Sequence, residues 1–482
     1  MRRAFLGIDC GTQSTKALVL DADSDVELAV GRADHALLSR PDGTREQEPG
    51  WWVAAAATAV RGALLDAGQV EIVGISVSGQ QHGLVALDRA DQPVRPSKLW
   101  NDTSTADACS SLTARMGGEE AVHAATGNVF LPAYTAPKIE WLRMTEPASY
   151  AAASRFCLPH DYLNLWLTGE FLTEAGDASG TAYLDVRSRS YAPAVLRAID
   201  PDRDWVASLP PILGSDQVLG SLRLHAAEAL GLPAGIPVAT GGGDNMCAAI
   251  GVGAVEPGAA VMSLGTSGTV FGSSRTVAID PLREVSAFCS STGDWMPLAC
   301  VLNCTLPIDW VMGLFGYDRA QFEAVVNSTP AGSRGVRFVP YLDGERTPNR
   351  PRAAGELLGL RGGHRAGEIC RAVLEGVTAG LAAAVNAYER TGATAETITL
   401  VGGGARSELW GQLLADWLGF RVARPAVAEA AALGAARQVA HVVAGAPLQW
   451  APPIEKAWEP TGAAAMADTA ARYLESKDGG IQ

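Results

Sequence analysis

The chain has 482 residues, with 38 basic against 52 acidic side chains and a formal charge of −14. That length exceeds one ordinary core and implies two or three domains, and no lysine- and arginine-rich stripe is present to grip nucleic acid. The eight cysteines are scattered without a CxxC pair, only Cys300 and Cys304 lying close together, so reduced and buried thiols are expected rather than disulfides or zinc. The start, Met1-Arg2-Arg3-Ala4-Phe5-Leu6, is like that of a signal peptide, but Asp9 breaks the apolar run, and no segment has the length of a bilayer span. A cytoplasmic protein with neither membrane nor nucleic-acid partners is the expectation.

Residues 5–8 and 16–20 are apolar runs separated by Cys10-Gly11-Thr12-Gln13-Ser14-Thr15, which predicts a hairpin with a Gly/Ser/Thr-rich tip. A third antiparallel strand follows at 26–30. Ala- and Leu-rich residues 51–67 predict a helix, then a strand at 72–77, the loop Ser78-Gly79-Gln80-Gln81-His82-Gly83 and a strand at 84–87. From about Ser97 to Leu209, Trp, Pro and Gly punctuate short helical pieces such as 136–143, and this stretch is expected to be an insertion that shapes a substrate pocket. A strand at Val238 leads into Thr240-Gly241-Gly242-Gly243-Asp244-Asn245, whose glycines permit a sharp turn before a helix from about Asn245.

The second half then repeats the opening. Residues 259–264 are an apolar run, Gly265-Thr266-Ser267-Gly268-Thr269 a second tip, and 270–272 a returning strand. Ile369, Val373, Val377, Leu381 and Val385 fall on one helical face. A strand at 398–401 ends in Gly402-Gly403-Gly404-Ala405-Arg406-Ser407, followed by a helix through Leu409, Leu413 and Trp417, a short strand near Val422 and an Ala-rich helix over about 429–443. Such duplication predicts two similar lobes with a cleft between them. The tips around Gly11, Gly265 and Gly403 and the Asp244 turn are expected to converge there.

Tips of this composition aim consecutive backbone N–H groups and hydroxyls at one point, a nest that suits phosphate. Two facing each other would hold a triphosphate from both sides. Neither a P-loop nor a G-x-G-x-x-G dinucleotide fingerprint is present. Asp244, where a strand gives way to a helix, is placed either to act as a general base or to cap the helix. Asp9 can meet a magnesium ion on the same phosphates or bond the turn amides. Gly402–Gly404 let the backbone lie flat against an adenine or ribose ring, or simply turn. Gln80, Gln81, His82, Trp100, Asn101 and Asp102 put hydrogen-bonding groups beside an aromatic face, as a ligand with many hydroxyls requires.

With these motifs in this order, the chain resembles the FGGY family of carbohydrate kinases, and within it the xylulokinase branch. Asp9-Cys10-Gly11-Thr12 is similar to the family's first phosphate motif, Ser263 to Thr269 to its second, and Gly402 to Ser407 to its adenosine motif. Gly355-Glu356-Leu357-Leu358-Gly359-Leu360 through Glu375 is similar to a family signature, and Gly79 to Gly83, Leu99-Trp100-Asn101-Asp102, Gly241 to Asn245 and Pro340 to Pro348 resemble the xylulokinase branch. The resemblance implies an α/β fold of two actin-like (ribonuclease-H-like) lobes, residues 1–243 and 244–482, with ATP and Mg2+ in the cleft. It implies transfer of the γ-phosphate to the terminal (5-) hydroxyl of D-xylulose by a monomer or homodimer. Asp244 is then the base. Gln81, His82, Trp100, Asn101, Asp102, Asp244 and Asn245 face the sugar. Gly11, Thr12, Gln13, Gly265, Thr266, Gly402, Gly403, Gly404, Ala405 and Ser407 hold the nucleotide, and Asp9 lies at the metal. Two departures fall on the sugar side: Gln81 stands where many xylulokinases have Met, and residues 133–138 lack a Gly-Phe often found there. Glycerol kinases carry an Arg-Glu pair in place of Gln81 and His82, which argues against glycerol. Another ketose or polyol, or an actin-like ATPase with a protein partner, are the alternatives.

Overall fold

The computed structural model describes residues 1–462. Strands β1 (Arg2–Cys10) and β2 (Ser14–Asp21) form the opening hairpin, β3 (Glu27–Asp34) pairs antiparallel with β2, α1 (Pro49–Ala67) crosses over, and β4 (Val70–Gly79) returns parallel to β1. β5 (Val218–Ser221) and β6 (Pro237–Ala239) complete a sheet in the order β5-β6-β4-β1-β2-β3, with β7 (Gly242–Gly243) also pairing β4. After α2 (Asp244–Gly251) the pattern recurs. β8 (Gly258–Leu264) and β9 (Gly268–Gly272) form a hairpin; β10 (Val285–Ser286) and β11 (Leu298–Val301) extend it antiparallel. Then α3 (Ala366–Arg390) crosses over to β12 (Ala395–Val401), which runs parallel to β8, and beyond α4 (Glu408–Leu418) β13 (Val422–Pro425) runs parallel to β12. The order β3-β2-β1-β4-β6 in one lobe thus matches β11-β9-β8-β12-β13 in the other, the duplication expected from the two tips and the ribonuclease-H-like arrangement implied by the resemblance.

Both faces of the first sheet are covered, which explains why β1 reads as a continuous apolar run. Leu6, Ile8 and Val19 share a core with Trp52, Ala56, Ala59 and Val60 of α1. Phe5, Leu18 and Leu20 pack on Ala432, Leu433, Ala436 and Val439 of α5 (Ala430–Ala444), a helix from the far end of the chain. In the second lobe Val373, Val377, Leu381 and Val385 bury against Met262, Leu264 and Val270, while Ile369 packs at the margin.

The lobes are joined where α2 and α5 cross. α2 shares a core with the second sheet through Met246 and Ala249 beside Val261 and Phe271, whereas α5 lies on the first. Side-chain-free positions permit the approach: a Cβ on Gly434 would collide with the Cys247 carbonyl oxygen, one on Gly251 with that of Ala430, and one on Gly7 with that of Ala432.

Residues 97–209 hold several short helices as expected, among them Ala106–Met116, Thr135–Thr145 and Pro159–Thr168. Two local readings change. The segment Val85–Leu87 leaves the main sheet and pairs with Arg155–Cys157 in a separate ribbon. The glycine run is only partly a turn: Gly241, at φ 74°, makes the bend, after which Gly242 and Gly243 align with Ser78 and Gly79 as β7. Among the described residues no helix is long and apolar enough to cross a membrane, and all eight cysteines are buried and free.

Gly434→Ala tests the crossing. Overpacking a tight contact costs about 1–3 kcal/mol, so thermal unfolding should show a lowered midpoint, and turnover should fall with it because the cleft lies between the helices' two lobes; an unchanged midpoint would show that the contact carries no strain.

Candidate active site

Between the lobes lies a cleft of about 730 Å³. Its floor and walls include Gly11, Thr12, Gln13 and Lys16 from the first hairpin and Gly265, Thr266 and Ser267 from the second. Each tip closes in a similar way: the Gly11 amide donates to the Ser14 carbonyl at 3.1 Å and the Gly265 amide to that of Ser267 at 3.2 Å. The two nests open into one space, as two ends of a polyphosphate require.

Asp244 stands at the first position of α2, with Gly243 before it. Its Oδ1 accepts from the Asn245 amide at 2.8 Å and from Asn245 Nδ2 at 2.9 Å, and among the described residues nothing bonds Oδ2. The capping alternative fails on this geometry, because α2 has no side-chain cap. Burial, and after it the charge of Asp9, push the Asp244 carboxyl up to about 7. Asp9, at the end of β1, accepts from Ser78 Oγ at 3.0 Å and from Lys16 Nζ at 3.3 Å, and Lys16 also meets Glu429 at 3.4 Å. The second lobe has Ser263 at the pairing position corresponding to Asp9, so the cleft is charged asymmetrically although its tips are alike.

The glycine run is held from behind. Gln438 on α5 accepts from Ser76 Oγ at 2.8 Å and donates to the Gly241 carbonyl at 2.8 Å, linking β4, α5 and the turn. His160 Nε2 meets the Thr240 carbonyl at 2.7 Å, and Asn164 Nδ2 donates to the same oxygen at 3.0 Å. Burial opposes a charge on His160, but the Asp161 hydrogen bond and charge override it and raise the imidazole to about 9, which suits a ring donating from both nitrogens. Side chains at the glycines would strike Val77 and His160 (Gly241), Ser291 (Gly242) and Gln81 (Gly243). These contacts set the position from which Asp244 enters the cleft.

On the other side, Gln81, His82, Trp100, Asn101 and Asn245 line the cleft as expected from the sequence. Gln81 Oε1 accepts from Asn245 Nδ2 at 3.0 Å, while among the described residues Gln81 Nε2 is buried without a partner and the His82 ring bonds the Gly180 backbone. Trp100 Nε1 donates to Thr12 Oγ1 at 2.9 Å, tying the sugar wall to the first tip. Asp102 is placed elsewhere: fully buried, it accepts from Lys98 Nζ at 3.0 Å, the Arg45 amide at 2.8 Å and Ser104 at 2.7 Å, and it does not line the cleft. Gly402–Ser407 also lies outside the lining; Gly402 abuts the Leu264 backbone next to the second tip, Gly403 is open, and Ser407 caps α4.

The structure adds Tyr134, Ser286, Phe288, Cys300 and Arg346 to the wall. Tyr134 and Phe288 pack edge-on and tilted against the His82 ring, at 4.8 and 5.6 Å between centroids. They come from separated stretches; the sequence singles out Cys300 for its closeness to Cys304 and the 133–138 and Pro340–Pro348 segments in the family comparison, and none of them with a role.

Two anion nests meeting an elevated carboxylate between ribonuclease-H-like lobes define a phosphotransferase of the two-lobed kinase class. Residues 4–251 match the N-terminal domain, and residues 260–442 the C-terminal domain, of the FGGY family of carbohydrate kinases, and the chain belongs to that family. It is 39% identical over 441 residues to a xylulose kinase of Haemophilus influenzae, covering 90% of both chains. It is 41% identical over 449 residues to one from Streptomyces coelicolor, covering 91% of this chain and 88% of the relative. A solved xylulose kinase from Bifidobacterium adolescentis superposes with a TM-score of 0.86 at 31% identity, covering 98% of this chain and 99% of that one.

An Asp244 carboxyl at about 7 carries two consequences. If Asp244 is the base it works ionised, so kcat/KM should rise with pH up to about 7 and then level, and Asp244→Asn should lose roughly 10²–10⁴ in turnover. For stability, its folded value lies above the unfolded 3.8, so the native state gains from the protonated form and that contribution is lost as pH rises from near 3.8 through about 7. Asp244→Asn should therefore raise the melting temperature at pH 8 and change it little at pH 4; the reverse ordering in calorimetry would contradict the buried placement.

Proposed function

We propose that the protein transfers the γ-phosphoryl group of ATP to the terminal (5-) hydroxyl of D-xylulose. The observation that carries this is Asp244, which stands between the two Gly-Thr tips on one side and Gln81 and His82 on the other, Gln81 Nε2 having no partner among the described residues. The xylulose kinases to which the chain is similar along about nine-tenths of its length support the sugar.

Phosphoryl transfer passes through a loose transition state, so positioning and charge stabilisation do most of the work. Backbone amides at Gly11, Thr12, Gln13, Gly265 and Thr266 cradle the phosphates, and the exposed backbone of Gly402 and Gly403, with Gly404, Ala405 and Ser407 behind it, supports the adenosine. Asn101 and Asn245 join Gln81, His82 and Trp100 in fixing the sugar. Asp244 receives the hydroxyl proton late, through the Oδ2 that Asn245 leaves open, while Asn245 keeps the carboxylate oriented. Closure of the two halves, 1–243 and 244–482, about the α2–α5 crossing excludes water from the transferring group.

Mg2+ fits the residues present: Asp9, just before the first tip, interacts with Asp244 as a like charge, and one or two carboxylates with phosphate oxygens are the donor set this ion takes. When bound, the ion neutralises phosphate charge and offsets the repulsion between the two carboxylates.

A coupled ADP assay over ketoses and polyols tests the reading. D-xylulose should give the highest kcat/KM of the panel, with negligible ADP formation in the absence of sugar; a different preferred acceptor, or hydrolysis independent of sugar, would overturn it.

A further inference from the structure

A ketopentose closes its ring through the oxygen on its fifth carbon. A kinase that phosphorylates that oxygen therefore takes the open-chain ketone, and its cleft must accommodate a free carbonyl two or three bonds from the far end of the sugar. Resting on the functional reading above, we propose that Arg346 is the residue that selects for this carbonyl, its guanidinium donating to the ketone oxygen and determining preference for a ketose over the corresponding polyol.

Arg346 reaches the cleft from the segment between β11 and α3, beside His82, Tyr134, Phe288 and Cys300. The backbone on either side is clamped. Glu345 accepts from the Leu302 amide at 2.6 Å, the Arg346 amide at 2.8 Å and Asn303 Nδ2 at 3.1 Å, and Thr347 Oγ1 donates to the Glu284 carbonyl at 2.9 Å. The neighbouring Glu345 carboxylate is thus engaged with amides. Among the described residues the guanidinium forms no ion pair; it hydrogen-bonds the Cys300 thiol, and it interacts by charge with Cys300, Tyr134, Glu345 and His82. A thiol is a weak acceptor, so a half-buried guanidinium bonded to one has N–H groups left for a ligand, and the neighbouring Tyr134 hydroxyl is already held by Ser286 at 2.6 Å.

The cleft has two electrostatic ends. Asp244 responds to Asp9 and Lys16. His82, at the other end, is driven down to about 3 by burial first and then by Lys138 and Arg346, so it is neutral and can accept from a hydroxyl or donate to one. An extended sugar with its terminal hydroxyl at Asp244 therefore points its carbonyl end toward Arg346. The five donors of a guanidinium on a rigid loop suit a carbonyl oxygen with two lone pairs, and a polyol, whose hydroxyl at that carbon is a weaker acceptor, gains less.

Calorimetric titration of the wild type, Arg346→Met and Arg346→Lys with D-xylulose, xylitol and ADP with magnesium tests this. Hydrogen bonds to a charged donor are worth enough for Arg346→Met to weaken D-xylulose binding by roughly 10- to 100-fold. Xylitol and ADP should shift by less than about threefold, and Arg346→Lys should recover part of the loss, since charge returns without the fork. Retained preference for the ketose in Arg346→Met, or an equal loss for both sugars with ADP binding intact, overturns the assignment. Should Arg346→Met also lose ADP, signalling misfolding, Arg346→Lys decides by the same ratio. A wild type that binds and phosphorylates no ketose overturns the functional reading itself, which is a separate outcome from failure of Arg346.

Discussion

The crossing of α2 and α5 is the constraint on which the rest depends. Each helix packs on the sheet of one lobe while touching the other helix through glycine, so the distance between lobes is set by backbone contact rather than by adaptable side chains. Close-packed interiors transmit displacement with little compression. Because Asp244 is the first residue of α2, the same contact that joins the lobes also sets the depth of the carboxylate in the cleft. Gln438, on the opposing helix, reaches back to the Gly241 carbonyl and makes that coupling direct.

The electrostatics follow from this placement. The carboxylates of Asp9 and Asp244 interact as like charges, with Lys16 divided between Asp9 and Glu429. Such an arrangement makes the charge state of Asp244 depend on what else enters the cleft. Near Gln81 and His82 the sign reverses: the charges of Arg346 and Lys138 act on a neutral His82, and Gln81 Nε2 has no partner among the described residues. A ligand that satisfies both ends is neutral, hydroxylated and extended.

Much of this was legible in the sequence. The two Gly-Thr tips, their spacing and the recurring strand order predict duplicated lobes, because hairpin tips and parallel crossovers leave local signals in glycine placement and apolar runs. The Asp244 turn and the Gln81-His82 and Trp100-Asn101 pairs were visible for the same reason. Asp102 was not separable from its neighbours by sequence: adjacent residues in a turn point in different directions, and here Asp102 folds back on Lys98 and Arg45 while Trp100 and Asn101 enter the cleft. Phe288, His160 and Gln438 carried no local signal, since each acts on a residue far away in the chain, and Arg346 stood in the Pro340–Pro348 segment without anything to show that it enters the cleft.

By itself, the sequence determined the fold class, the duplicated architecture and the two Gly-Thr tips with a carboxylate-bearing turn between them, since each depends on short-range backbone chemistry. The tertiary structure alone decided which side chains share the cleft, how high the Asp244 carboxyl is raised and where the Arg346 guanidinium lies. Those properties are set by burial and by charges brought together from opposite ends of the chain, and neither is encoded in any single stretch of residues.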